Sequence, residues 1–176
     1  VHYRMGRLLE VELSDSTRAV QTYSDILEYA PEDNATIDAL EGMVRKDEAA
    51  EDAFRVLSPA LSGREEWERL FVVYDVVTER ADDVARKVVN FLTMGEIAES
   101  RMKEPLRAFD CYGRAFTTDP QNGEALEYLE ALASTHDMWE NVPALMLEAA
   151  GNIEGTPEAL SLRLRAGAAL RDRLGD

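Results

Sequence analysis

Apolar residues recur every three or four positions along almost the whole chain, and no run shows the sustained apolar/polar alternation of a half-buried strand. The pattern predicts an all-α protein of about ten helices, at 1–13, 16–30, 33–45, 48–61, 64–79, 82–102, 104–118, 122–134, 137–150 and 157–174. Helix 64–79 carries the clearest stripe. Trp67, Leu70, Phe71, Tyr74 and Val77 share one face, and Arg64, Glu65, Glu68, Arg69, Asp75 and Glu79 the other, as in a helix half in water. Short helices on tight loops pack as antiparallel neighbours, and so many in one row suit a solenoid better than a closed bundle.

The punctuation agrees with these boundaries. Ser16, Asp33 and Thr156 are N-cap candidates, Pro105 and Pro157 suit a first helical turn, and Pro31 and Pro120 close the helices before them. Pro59 falls late in helix 48–61 and Pro143 early in helix 137–150. A proline inside a helix removes a hydrogen bond and pushes on the preceding turn, so a kink or break is expected near Pro59.

The chain also repeats itself. RAVQTYSDILEYAPEDNATIDALE (residues 18–41) lies on RAFDCYGRAFTTDPQNGEALEYLE (107–130), pairing Met5 with Met94, Gly6 with Gly95, Ala19 with Ala108, Tyr23 with Tyr112 and Pro31 with Pro120, all 89 residues apart (94 − 5). A second offset then takes over: Trp67 pairs with Trp139, Gly95 with Gly167 and Arg101 with Arg173, all 72 apart (139 − 67). The difference, 17 residues (89 − 72), predicts one extra helix between Glu41 and Arg64, changing the hand of the row locally or tucked aside from it. The sub-units implied are 1–46, the extra segment 47–63, 64–103, 104–150, and 151–176 as the start of a third copy, the whole reading as a fragment of a longer array.

The 72-residue unit is about two 34-residue helical hairpins, and here the chain resembles the tetratricopeptide repeat family. Phe91, Met94, Gly95 and Ala98 stand at the spacing of that family's W-x2-L-G-x2-Y helix. Ala108, Tyr112, Ala115 and Pro120 match its A-x3-F-x2-A…P helix, as do Ala19, Tyr23 and Pro31 in the first copy. Gly95 to Ala108 is one residue longer than the family's spacing. The chain is also similar to long helical-repeat proteins of some bacteria. The resemblance implies a right-handed α-α superhelix whose first helices line a concave groove.

Composition narrows the function. With 35 acidic against 19 basic residues the formal charge is −16, which opposes nucleic-acid or anionic-membrane binding and favours a basic or apolar partner. No stretch approaches a membrane span. One cysteine, Cys111, excludes an internal disulfide framework and points to a reducing, cytoplasmic setting.

Catalytic chemistry is sparse. His2 and His136 are the only histidines, no Glu-x-x-His pair or glycine-rich phosphate loop occurs, and no cofactor or metal is expected. Cys111 reads as a buried inert thiol, Trp67 and Trp139 as a repeated packing pair, and the acidic runs 47–52 and 80–83 as solvated turns. Some tetratricopeptide domains grip a C-terminal carboxylate, but Thr93 and Glu96 do not supply that set. The expectation is a non-catalytic scaffold binding a protein or peptide, with Met94, Glu96, Ile97, Ser100 and Arg101 as groove candidates. The alternative is a spacer or sensor segment of a larger protein; an unrecognised helical enzyme comes third. Self-association through helices 1–13 and 157–174 is a further expectation.

Overall fold

The structure, a computed structural model, describes residues 2–47 and 49–174, with backbone alone at Arg173 and Leu174. Every regular element among the described residues is helical. The chain divides into two compact units, 1–80 and 81–176.

In the first unit, α1 (His2–Arg7) runs on into a π-helical segment, Leu8–Glu12, and is followed by α2 (Ser16–Tyr29), α3 (Asn34–Lys46), α4 (Ala50–Gly63) and α5 (Trp67–Arg80). In the second, α6 (Val84–Glu96) runs into a π segment, Ile97–Met102, before α7 (Pro105–Thr118) and α8 (Gly123–His136). A 3-10 turn, Trp139–Asn141, then leads into α9 (Val142–Asn152), and α10 (Pro157–Ala169) ends in a third π segment, Leu170–Leu174.

Side-chain caps set many of the starts. Asp33 accepts from the Thr36 amide at 3.2 Å and Thr156 from the Ala159 amide at 3.1 Å, each satisfying a donor the helix leaves open. At α2 the cap is Asp15, which accepts from the Arg18 amide at 3.1 Å, not Ser16, which is already helical. Neither internal proline interrupts a helix. Pro59 does not break α4; it lies on the exposed side, four residues after exposed Arg55, so water can serve the carbonyl the missing N–H would have bonded. Pro143 stands in the first turn of α9, because that helix starts at Val142 and not at 137.

The π segments are the main feature absent from the sequence reading. Each packs one more residue per turn than an α-helix, and this is where the surplus residue between Gly95 and Ala108 is lodged. The first two are followed by residues of positive φ, Ser14 (51°) and Lys103 (59°). The amide after each donates back across the turn at 2.8 Å, Asp15 to the Leu9 carbonyl and Glu104 to the Ala98 carbonyl, closing the helix ends identically 89 residues apart (104 − 15).

In the first unit α4 fills the stretch by which the first copy is longer. Helix α4 packs on α3 and α5 and touches α2, and α3 also touches α5. It is therefore not tucked aside: α3, α4 and α5 form an up–down–up run. Arginines from the α5 side fix α3 and α5 parallel. Arg64 donates to the Pro31 carbonyl (3.1 Å) and Asn34 (2.5 Å) at the start of α3. Arg69 reaches Asp38 and Glu41 (2.7 Å each) in its middle, and Arg80 the Val44 (2.5 Å) and Arg45 (2.6 Å) carbonyls at its end. Each supplies fork geometry where α3 presents acceptors, and Arg80 satisfies carbonyls that a helix C-terminus leaves open. Ile37, Leu40 and Met43 of α3 and Leu57 and Leu61 of α4 are fully buried, which marks the apolar centre of this run.

In the second unit α7 packs against α6, α8 and α9, and α9 pairs with α10. Asn152 at the end of α9 donates to the Thr117 carbonyl near the end of α7 at 3.0 Å, so these two helices also run in the same direction. Ala108, Tyr112, Ala115, Phe116, Leu129 and Met146 are almost completely buried and form the centre of this unit.

Candidate binding surfaces

The residues that the two copies share are packing residues. At Gly6 and at Gly95 an added Cβ would run into the ring of Tyr23 and Tyr112 respectively, so glycine is what lets α1 approach α2 and α6 approach α7. The tyrosines are 0% and 2% exposed. Their hydroxyls donate to a glutamate of the π segment: Tyr23 to Glu10 at 2.8 Å, Tyr112 to Glu99 at 3.0 Å. Burial pushes both phenols far above their usual range, and the glutamate bonds add to it. The two locks differ in their acid. Glu10, with a side chain 2% exposed, is also held by Arg7 (3.0 Å) and by Lys46 of α3 (3.8 Å), whereas Glu99 is exposed. Glu10 and Glu99 are a repeat pair, and that coincidence was the signal in the sequence for this lock.

The proposed groove residues divide. Met94 is fully buried and Ile97 is 7% exposed, so neither can meet a partner. The reason is phase: Phe91, Met94 and Ala98 form the inward stripe of α6 and its π segment, and Ile97, three residues after Met94, is buried beside them. Glu96, Ser100 and Arg101 are exposed. Ser100 lines a cleft of about 380 Å³ with Glu99, Lys103, Pro105 and His136, which places His136 at the surface. Cys111 is buried. Trp67 and Trp139, half-buried, stand at the start of α5 and in the turn before α9.

A groove that the sequence did not indicate lies between α7 and α9. It encloses about 530 Å³, with Leu106, Phe109, Gly113 and Leu145 as apolar lining and Asp110, Arg114 and Glu148 as charged groups. Leu106 is 75% exposed. A Cβ on Gly113 would come within 3.2 Å of Leu145, so glycine keeps this part of the groove open. The corresponding face of α2 carries Thr17, Val20, Gln21 and Ser24 at the places of Leu106, Phe109, Asp110 and Gly113.

A second cleft, of about 720 Å³, lies in the first unit beside α2, with Tyr3, Asp25, Ile26, Glu28 and Tyr29 among its lining. Among the described residues no group of three or more His, Cys, Asp or Glu is arranged to hold a metal ion, and no helix is long and apolar enough to cross a membrane. The chain matches no protein-family model, and no curated protein or solved structure is significantly similar to it.

Proposed function

We propose that the chain is a tetratricopeptide-like helical-repeat scaffold that binds a protein or peptide and catalyses nothing itself, with the groove between α7 and α9 as its binding surface. The observation that carries this reading is where the copies agree and where they diverge. Gly, Ala and Tyr at the helix contacts are kept, whereas on the side of α7 that lines the groove Thr17, Gln21 and Ser24 of the first copy are replaced by Leu106, Asp110 and Gly113. An open apolar floor with charged groups at its edge is the composition of a recognition surface, in which affinity comes from the apolar centre and selectivity from the rim. Asp110 and Glu148 against Arg114, in a chain of charge −16, favour a basic or apolar peptide.

The test is affinity capture with the 176-residue chain, followed by identification of the retained proteins and titration of each purified candidate. Leu106→Glu lies on an exposed position and leaves the thermal midpoint unchanged. It weakens a genuine groove ligand by about tenfold or more, the scale of losing one interfacial anchor. A partner whose affinity is the same for wild type and Leu106→Glu, and for Asp110→Lys, does not use this groove, and the assignment then fails.

A further inference from the structure

Asparagine is a thermolabile residue. Its side-chain amide is lost when the backbone nitrogen of the next residue attacks it, and a side chain on that next residue obstructs the approach. Five asparagines occur in the chain, followed by Ala35, Phe91, Gly123, Val142 and Ile153. Val142 and Ile153 are branched at Cβ, Asn90 is buried in α6, and Asn34 is held by a bond from Arg64. At Asn122 the next residue has no side chain at all. Gly123 is exposed, and a Cβ there would meet nothing within 4 Å. It is also the first residue of α8, so its N–H is one of the donors that a helix leaves without an intrahelical partner. Asn122 itself is the N-cap: its Oδ1 accepts from the Ala125 amide at 3.0 Å, with φ −74° and ψ 96°. In the first copy that position is Asp33 (122 − 33 = 89), which accepts from the Thr36 amide at 3.2 Å with φ −73° and ψ 94°.

We infer that Asn122 is a site of spontaneous deamidation, and that its two products act in opposite ways on the start of α8. The deprotonated Gly123 nitrogen bonds to Cγ of Asn122. The Cγ–Nδ2 bond breaks and ammonia leaves with the proton, giving a five-membered succinimide. Water then opens the ring, and nothing is oxidised or reduced. Attack at Cγ restores the original course of the main chain and leaves aspartate. Attack at the backbone carbonyl carbon leaves isoaspartate, with the main chain rerouted through Cβ and Cγ. Aspartate keeps the cap, since Asp33 shows the bond and the dihedrals that it takes, and its charge suits the helix N-terminus. Isoaspartate lengthens the main chain by one carbon and removes the group that accepted from Ala125. Ala125, Leu126 and Leu129 are buried, so the cap is lost where α8 enters the core. The cap also sets the rate. The ring closes only with the Gly123 nitrogen eclipsing Cβ about the Cα–C bond, and at ψ 96° the two are turned well apart. The first turn of α8 must therefore open before the reaction, and helix ends are where opening is easiest. This inference does not depend on the α7–α9 groove, so its failure leaves the scaffold reading intact.

The test is prolonged incubation of the full 176-residue chain at mildly alkaline pH, with peptide mapping by mass spectrometry. Asn122 exchanges NH for O while the other four asparagines stay amides, and its peptide separates into an aspartate and an isoaspartate form. The rate rises with pH, because the attacking species is the amide anion. Unfolding the chain in urea speeds the conversion about fivefold or more, the scale of losing the cap. Gly123→Ala suppresses it over the same period and does not lower the thermal midpoint, since alanine is the better helix former and the space beside it is open. Asn122→Asp keeps the wild-type midpoint or raises it, whereas the purified isoaspartate form melts about 2–4 °C lower. Three outcomes overturn the proposal: Asn122 still an amide when the unfolded chain has converted completely, earlier conversion at another asparagine, or equal rates in the folded and unfolded chain. An isoaspartate form that melts with the wild type overturns the opposed action of the products.

Discussion

Tyr23 and Tyr112 occupy equivalent places and make equivalent bonds, but their acceptors sit in different surroundings. Glu10 is buried and Glu99 is exposed to water, which can replace a lost donor there. A hydrogen bond to a charged group contributes about 1.5–3 kcal/mol, toward the upper end where the partner is left buried. Tyr23→Phe is therefore expected to cost about 2 kcal/mol and Tyr112→Phe about 1 kcal/mol in urea unfolding; equal losses would contradict the account. The raised phenol values also set a pH limit. A tyrosine whose folded pKa exceeds its unfolded value of about 10 adds stability that is fully present below pH 10 and disappears as pH rises beyond it. Stability of the wild type should fall from about pH 10 upward, and the double Tyr→Phe variant, lower at neutral pH, should show a shallower decline. Much of this lock was legible: the glycines and tyrosines align in the sequence at once. The glutamates align as well, but an acidic residue in a helix so often faces water that the coincidence carried no weight until the hydroxyls were seen to point at them.

Among the elements, α3 and α5 are joined by arginines along their length. Arg69 bridges Asp38, Glu41 and Glu66, and Glu41 is 7% exposed. Burial alone would raise the Glu66 carboxyl; the bonds from Arg64 and Arg69 outweigh it and hold the group below its usual range. Arg69→Ala strands Glu41 with only the longer contact to Arg45 (3.4 Å) and should destabilise the chain by about 2–3 kcal/mol, read from the chemical-denaturation midpoint. Arg69→Lys should recover little, since one ammonium cannot span three carboxylates. Helix count and order were legible because a three-to-four residue stripe runs through most segments and caps or prolines mark the ends of the rest. Where the sequence misled was phase and local winding. Five or six residues of π helix cannot be told from α by periodicity, and Ile97, three residues after buried Met94, belongs to the core and not to the surface. The α7–α9 groove was illegible for another reason: Leu106 and Phe109 look like members of a core stripe until their neighbours are known.

For the molecule as a whole, charge is the property that acts everywhere at once. Thirty-five acidic against nineteen basic residues leave a strong surplus, and most carboxylates lie at the surface, where they repel one another. Salt should therefore stabilise the chain. Raising NaCl from 10 mM to 500 mM shortens the screening length from about 30 Å to about 4 Å, and the thermal midpoint is expected to rise by several degrees. A midpoint that falls with salt would mean that the arginine bridges outweigh the general repulsion. Acid works in both directions: protonation relieves repulsion, but below the usual carboxylate range it also removes Glu66 from its arginines, and the stability held by its lowered pKa is lost as pH falls through that value.

The π turns carry a consequence about origin. An extra residue wound into a helix is a small accident of length, and it begins two residues after Gly6 and two after Gly95, in one register, and three after Gly167. Two separate insertions at one register are a poor explanation beside a single one that was copied. The π winding thus belongs to what the first two copies share, and the helix α4, found between Glu41 and Arg64 alone, to what separates them.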